Sequence, residues 1–503
     1  MSSATCSYPL VMRNAGLNLA GRAVLAFASI ATIPVLIGGL GMERYAILSL
    51  ALITVSYFSL LDCGLCAATT RFVAGALGRG ENHQLVPLIW TSLLLLAMLG
   101  LLAGVLMLLS VPWIVQRLLR ISPGLHSEAK TALFVLSAMA PFLLLGAGLQ
   151  GLLEARQRYD LVNAVAVPAS LASYLLPVLA ISMGLSLGAI AGLLVVTRIA
   201  ACLVFLLFCR RLFPQLRQRA RLSLRGNRPL LVFGGWLAVS NMVWPVLLYC
   251  DRAVIGALLP MAVLPFYVAP CEVVTRLWAL PASWVALFPA FSALEDRRQE
   301  LARLWARGTK HLALLVGPAV VTTILFAGPI LHAWLGSPFA SNSTTVFRVL
   351  AVGVLANSLA SIPDRLIKAR GRSDIIAKLH VAELPLYLAL LWLLVRHAGI
   401  MGAALAWSAR AGLEAAIVFA LAGRMVPGSG QEMMRAGISR LAIALLMLAL
   451  VMSLAVSAFT GATRFWVAGL LLVVTAGLSW QHVLDQHDRD AVHAALGLTR
   501  AAL

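Results

Sequence analysis

Apolar runs of about twenty residues or more alternate with short polar stretches along the whole chain. Fourteen runs fall at about 14–40, 45–72, 85–110, 131–153, 161–183, 187–209, 230–259, 262–292, 311–335, 346–367, 377–396, 400–423, 438–459 and 464–482. A helix rises 1.5 Å per residue, so about 20 apolar residues cross a bilayer core. Each run therefore predicts a membrane-spanning helix. The expected fold is an all-α integral membrane protein of about 14 spans. Arg13 precedes the first run and Arg22 interrupts it, which predicts an uncleaved first span rather than a signal peptide.

Composition agrees. Hydrophobic residues make up 61% of the 503 and charged residues 12%, about half of the roughly 25% that a water-facing surface requires. Cys6 lies outside the apolar runs and the other six cysteines lie within them, so no extracytoplasmic disulfide framework is expected.

Lys and Arg number 39 against 19 acids, and the basic clusters alternate with the apolar runs. That spacing suits topology-setting loops better than a nucleic-acid stripe. With the N-terminus inside, inner segments hold 26 of the 39 bases, outer segments seven and the spans six. Both termini are thus expected in the cytoplasm, in a multi-pass protein of the cell (inner) membrane. The longest outer connection, 111–130, is expected to be a loop of about 20 residues, too small for a soluble domain.

The chain aligns with itself at an offset of 214. Ala155-Arg156-Gln157-Arg158-Tyr159-Asp160 faces Ala369-Arg370-Gly371-Arg372-Ser373-Asp374, and Gly188, Ala189, Ala201, Val204, Phe205 and Leu207 recur as Gly402, Ala403, Ala415, Val418, Phe419 and Leu421. The repeat maps spans 4–6 onto spans 10–12. An even shift keeps the orientation, so the expected architecture is two six-helix lobes related by a parallel repeat, with a cleft between them. The expected boundaries are 1–213 for the first lobe, 214–229 for a basic cytoplasmic linker and 230–424 for the second lobe. Residues 425–482 then carry two extra spans, and 483–503 form a cytoplasmic tail.

Ionisable side chains inside spans cost about 2.5–3.5 kcal/mol at the centre and mark candidate functional positions. Glu272 and Arg276 stand four apart with the acid first, Arg410 and Glu414 with the base first; either pair can neutralise itself. Asp251-Arg252 and Asp364-Arg365 are adjacent and point about 100° apart on a helix. Arg22 and Arg198 have no acid within four residues. Arg22 has a structural alternative, a bridge to the similarly isolated Asp62 on the antiparallel second span. Otherwise these guanidinium groups can face a cleft and grip an anion, bidentately where it is a phosphate.

Other patterns carry no chemistry. Gly146-Ala147-Gly148-Leu149-Gln150-Gly151 has the spacing of a dinucleotide loop, but lies in an apolar helix and reads as close packing, as do Gly100 and Gly104. Cys63 and Cys66 lack a second pair, no Walker A sequence is present, and the nine His show no metal-ligand spacing. Prolines within spans permit bending.

Several motifs, in order, carry a resemblance. They are Leu40-Gly41-Met42-Glu43-Arg44-Tyr45, Leu60-Leu61-Asp62-Cys63-Gly64-Leu65 and Thr70-Arg71-Phe72, then Asp251-Arg252-Ala253-Val254-Ile255-Gly256 with Phe266-Tyr267-Val268-Ala269. Gly371-Arg372-Ser373-Asp374 and Gly399-Ile400-Met401-Gly402-Ala403-Ala404 complete the set. With these the chain resembles the polysaccharide/O-antigen (Wzx-type) flippases of the multidrug/oligosaccharidyl-lipid/polysaccharide exporter superfamily, with Ala46 where the family commonly has Gly.

The resemblance implies fourteen helices in two lobes and a cargo of oligosaccharide linked to undecaprenyl pyrophosphate. It also implies a cationic cavity lined by spans 1, 2, 7 and 8, which maps onto Arg22, Asp62, Asp251, Arg252, Glu272 and Arg276. Arg198 and Arg410 join these candidates from the residue reading alone. The expected partners are the lipid-linked oligosaccharide, membrane lipids and a polysaccharide polymerase and glycosyltransferases, with no nucleic acid. No catalytic residue, metal or organic cofactor is expected, though Asp62, Asp251 or Glu272 can bind a coupling proton or Na⁺. The rival readings are a cation-coupled multidrug exporter of the same superfamily and a membrane polysaccharide polymerase or ligase. The Arg-rich cavity opposes the first, and the lack of a large outer loop with catalytic acids opposes the second.

Overall fold

Wherever the apolar runs fall within the described residues they are helical apart from short turns, and no strand occurs among those residues. The computed structural model describes residues 27–58, 65–79, 82–156, 158–214, 246–277, 297–459 and 463–482, with positions 25, 243 and 291. Eight helices among them are long and apolar enough to cross a membrane. The chain divides into two compact units, Met1–Pro265 and Phe266–Leu503.

The first unit contains α1 (Phe27–Leu40), α2 (Met42–Phe58), α3 (Leu65–Arg79), α4 (Asn82–Trp113), α5 (His126–Ser137), α6 (Ala140–Ala155), α7 (Tyr159–Ser182), α8 (Leu187–Leu212) and α9 (246–258). Its core lies where α3, α4, α6 and α8 meet, with Val73, Ile89, Leu96, Leu144, Leu152, Cys202 and Phe213 buried together. Met98, Leu101, Val105 and Leu109 on α4 stay exposed, as lipid-facing positions do.

Two expectations change here. The 131–153 run lies within one candidate crossing, Pro123–Ala155, but not as one regular helix: α5 ends at Ser137 and α6 begins at Ala140. Pro141 lacks an N–H and cannot continue the ladder, and Ala138 and Met139 donate instead to Val135 and Leu136 three residues back. The 111–130 connection is also mostly helical, since α4 reaches Trp113, a π-turn covers Ile114–Leu118, and α5 opens at His126.

The glycines pack as expected. A Cβ on Gly100 would lie 2.5 Å from the Cα of Pro141, and one on Gly104 would lie 2.9 Å from the Ser137 carbonyl oxygen. Gly148 faces Leu96 and Gly151 faces Thr70, so the dinucleotide-like spacing brings α6 against α3 and α4.

The second unit contains α10 (Pro265–Arg276, whose first residue closes the other unit), α11 (Arg298–Leu335), α12 (Ser337–Ala369), α13 (Ser373–Met425), α14 (Ser429–Arg435), α15 (Ile438–Ala458) and α16 (Thr463–His482). α12 packs along α11 and α13, and α15 packs on α11 and α16. α13 is two arms broken at Gly399, where φ is 58° and ψ −140°. A Cβ on Gly402 would collide with the Leu394 carbonyl, so only glycine lets the arms turn back this closely.

The turns at the two ends of the 214-residue offset share one backbone pattern. Arg158 N–H donates to the Leu153 carbonyl and Leu161 N–H to Arg158; Arg372 N–H donates to Ile367 and Ile375 N–H to Arg372.

Candidate functional site

The charged residues predicted inside spans fall into separate groups. In the first unit, Arg198 lies eleven residues into α8, roughly 16 Å along it. Its Nη2 donates to the Ser173 hydroxyl of α7 at 3.4 Å. Among the described residues no carboxylate pairs with it. Asp251 and Arg252 are both buried on α9, at 1% and 3% exposure. The Asp251 carboxylate accepts from the Arg252 backbone N–H at 2.7 Å, and the Arg252 guanidinium stacks 5.2 Å from the Tyr249 ring centroid. Arg22 and Asp62 lie outside the described residues.

In the second unit, Arg276 and Glu272 of α10 form the acid-first pair, with Nη2 3.1 Å from Oε2, both about one-third exposed. Arg410 sits in a richer setting than its sequence neighbours indicate. Its Nη1 is 2.7 Å from Glu414 Oε2 and 3.4 Å from Glu383 Oε2, and Glu414 Oε1 meets His380 Nε2 at 3.1 Å. The Tyr387 ring lies 5.7 Å from the guanidinium carbon. His380, Glu383 and Tyr387 share one face of the first arm of α13 at i, i+3 and i+7, and Arg410 and Glu414 answer from the second arm. Own-helix spacing found Arg410 and Glu414 but missed His380 and Glu383. The signal for those two was the polar i, i+3 pair in an apolar run.

The Glu43-Arg44 motif has a visible task on the first unit. Gly41 (φ 81°) turns α1 into α2. Glu43 then accepts from the Ser122 N–H and, at 2.8 Å, the Ser122 hydroxyl. Arg44 Nε donates to Glu128 Oε2 at 2.9 Å, and Glu128 Oε1 accepts from the Leu187 N–H at 3.1 Å, at the start of α8. Three inter-helix turns are thereby tied by two carboxylates.

An all-helical body whose helices are long and apolar enough to cross a bilayer, with ionisable groups inside them, defines a multi-pass membrane protein. Solved structures share this fold. Lipid II flippase MurJ in an inward closed conformation superposes with a TM-score of 0.72 at 13% identity, covering 94% of this chain and 100% of that one. An inward-facing multidrug resistance MATE family transporter of the MOP superfamily gives a TM-score of 0.68 at 14% identity, covering 82% and 99%. The chain belongs to the polysaccharide biosynthesis protein family, whose profile matches residues 79–344, more than half of its length. A Shigella flexneri protein named "Putative O-antigen transporter" is 30% identical over 416 residues, 82% of this chain and 98% of that one. A Bacillus subtilis (strain 168) protein named "Uncharacterized membrane protein EpsK" is 24% identical over 361 residues, 70% of each chain.

Proposed function

We propose that this protein moves an undecaprenyl-pyrophosphate-linked oligosaccharide from the cytoplasmic to the outer leaflet of the inner membrane by alternating access. The relation to the Shigella protein supports the cargo class. The observation that carries the reading is Arg198, a guanidinium within a span whose hydrogen bond goes to a serine hydroxyl and not to a carboxylate. A cation at that depth calls for an anion, and a pyrophosphate supplies one with matching fork geometry.

Arg22, Asp62, Arg198, Asp251, Arg252, Glu272, Arg276 and Arg410 are the proposed substrate-facing set. Basic groups there replace the water that the phosphates lose on leaving the cytoplasm. Both termini face the cytoplasm in this reading, supported by the 26-to-7 division of basic residues. An anion leaving an inside-negative cell moves downhill by about 2.3 kcal/mol per charge per 100 mV. The proposed lobes are 1–213 and 230–424, joined by the basic 214–229 segment.

The test replaces Arg198 or Arg276 with Ala and measures polymer output at matched protein level. Both changes are expected to abolish output, and full output in both removes the arginine grip. Reconstituted flipping set against a polymerisation assay separates transport from synthesis.

A further inference from the structure

The group around Arg410 is unlike the other ion pairs among the described residues. It places two carboxylates, one guanidinium and one imidazole together inside the second unit, and its side chains are 4% exposed for Arg410, 6% for Glu383, 9% for Glu414 and 12% for His380. Glu383 stands ten residues into α13, about 15 Å along a helix that crosses a core of about 30 Å. The site therefore lies within the apolar part of the arm, beyond the exposed Asp374–Lys378 pair of its first turns.

Its charges do not balance. With the imidazole neutral, Glu383, Glu414 and Arg410 sum to one negative charge. An uncompensated charge removed from water is costly, and a group so placed takes up or loses a proton instead. The hydrogen bonds show where the imbalance sits. Glu414 has both oxygens engaged, one by Arg410 and one by His380. Glu383 reaches Arg410 only at 3.4 Å through Oε2, while its buried Oε1 has no hydrogen-bond partner. Arg410 Nε is likewise buried without a partner.

The charged groups acting on Glu383 are Glu414, Arg410 and His380, and those acting on Glu414 are His380 and Arg410. The neighbouring α12 sends its Asp364 carboxylate to Lys368 at 2.8 Å and its Arg348 Nε to the Ile324 carbonyl at 3.0 Å. Arg365, also on α12, sits beside Asp364, whose charge acts on it.

We infer that His380, Glu383, Arg410 and Glu414 form a proton-binding site, in which Glu383 takes one proton from water at its free Oε1 and returns it. Protonated, Glu383 leaves Arg410 and Glu414 as a neutral pair. Deprotonated, it competes with Glu414 for the single guanidinium. The hairpin at Gly399 brings the two arms together, so a change of proton occupancy acts on the packing of one arm against the other. Its use in transport rests on the reading given above; proton binding does not.

The experiment records infrared difference spectra of the purified full chain in lipid nanodiscs between acidic and alkaline buffers. The expected result is a buried carboxylic acid C=O band that disappears on alkalinisation and is lost in Glu383→Gln. It is retained, at a shifted position, in Glu383→Asp. Glu414→Gln removes the competing charge and is expected to move the band's titration to lower pH, a readout that holds even if Glu383→Gln fails to fold. A wild-type spectrum without the band, an unchanged band in Glu383→Gln, or a titration unmoved by Glu414→Gln overturns the site. Loss of the band on adding Na⁺ at constant pH overturns the proton as occupant. Failure of vesicle flipping with the band intact falls on the transport reading alone.

Discussion

Arg158 holds Asp160, two residues ahead, through three hydrogen bonds: Nε to both carboxylate oxygens at 2.9 and 3.2 Å, and Nη2 to Oδ2 at 2.8 Å. The pair closes the turn between α6 and α7. Arg372 and Asp374 repeat it 214 residues later, at 3.2 Å, between α12 and α13. The two six-residue segments that align at this offset thus also share a backbone turn and an ion pair.

Gly371 occupies the second of these turns at φ 72° with open space around it. Gly371→Ala is expected to destabilise the protein by about 1–2 kcal/mol through backbone strain alone. Gly412→Ala, within a helix and also facing open space, is expected to be neutral or stabilising. Thermal unfolding of the two variants in detergent checks the contrast.

Gly100 meets backbone, which cannot swing aside. Gly100→Ala should cost about 1–3 kcal/mol by forcing α4 away from Pro141. The measurement is again thermal unfolding, and an unchanged midpoint refutes the close packing.

Arg44 and Glu128 form one ion pair but should not be equivalent. Arg44 is 46% exposed, so Arg44→Ala is expected to cost less than about 1 kcal/mol, and less still in high salt. Glu128 also receives the Leu187 N–H, so Glu128→Ala should cost more, about 1–3 kcal/mol. Equal losses in the two variants would mean that the contact with Leu187 contributes nothing.

Arg198→Lys keeps the charge and removes the fork. On the proposed function, polymer output should fall about tenfold, the equivalent of about 1.4 kcal/mol. Arg198→Ala should fall further. Output equal to wild type in the Lys variant would show that charge alone suffices.

The helices were legible because lipid imposes a simple rule on them: twenty apolar residues, then a polar break. The runs at 161–183 and 187–209 appear nearly intact as Tyr159–Ser182 and Leu187–Leu212. The break before Pro141 was hidden because the run stays apolar through it, and hydropathy does not register a missing N–H. The site was legible only as far as neighbours on one helix reveal it. Glu272 and Arg276 pair across one turn, as their spacing states. Glu383 finds Arg410 across 27 positions and the Gly399 turn, and Glu43 finds Ser122 across 79. Such meetings depend on how helices return on one another, which spacing along a single helix does not encode.

α11 runs for 38 residues, about 57 Å, nearly twice the thickness of the hydrocarbon layer. Its first turns, where Glu300 is exposed and paired with Arg297 just before the helix, therefore stand in water as a stalk continuous with the part in lipid. Glu432 of α14 braces that stalk through Arg303 at 3.6 Å. A displacement of these aqueous turns is carried by the same helix toward the bilayer as far as Pro318, where the missing N–H lets it bend, so they are a handle on the first half of the embedded part.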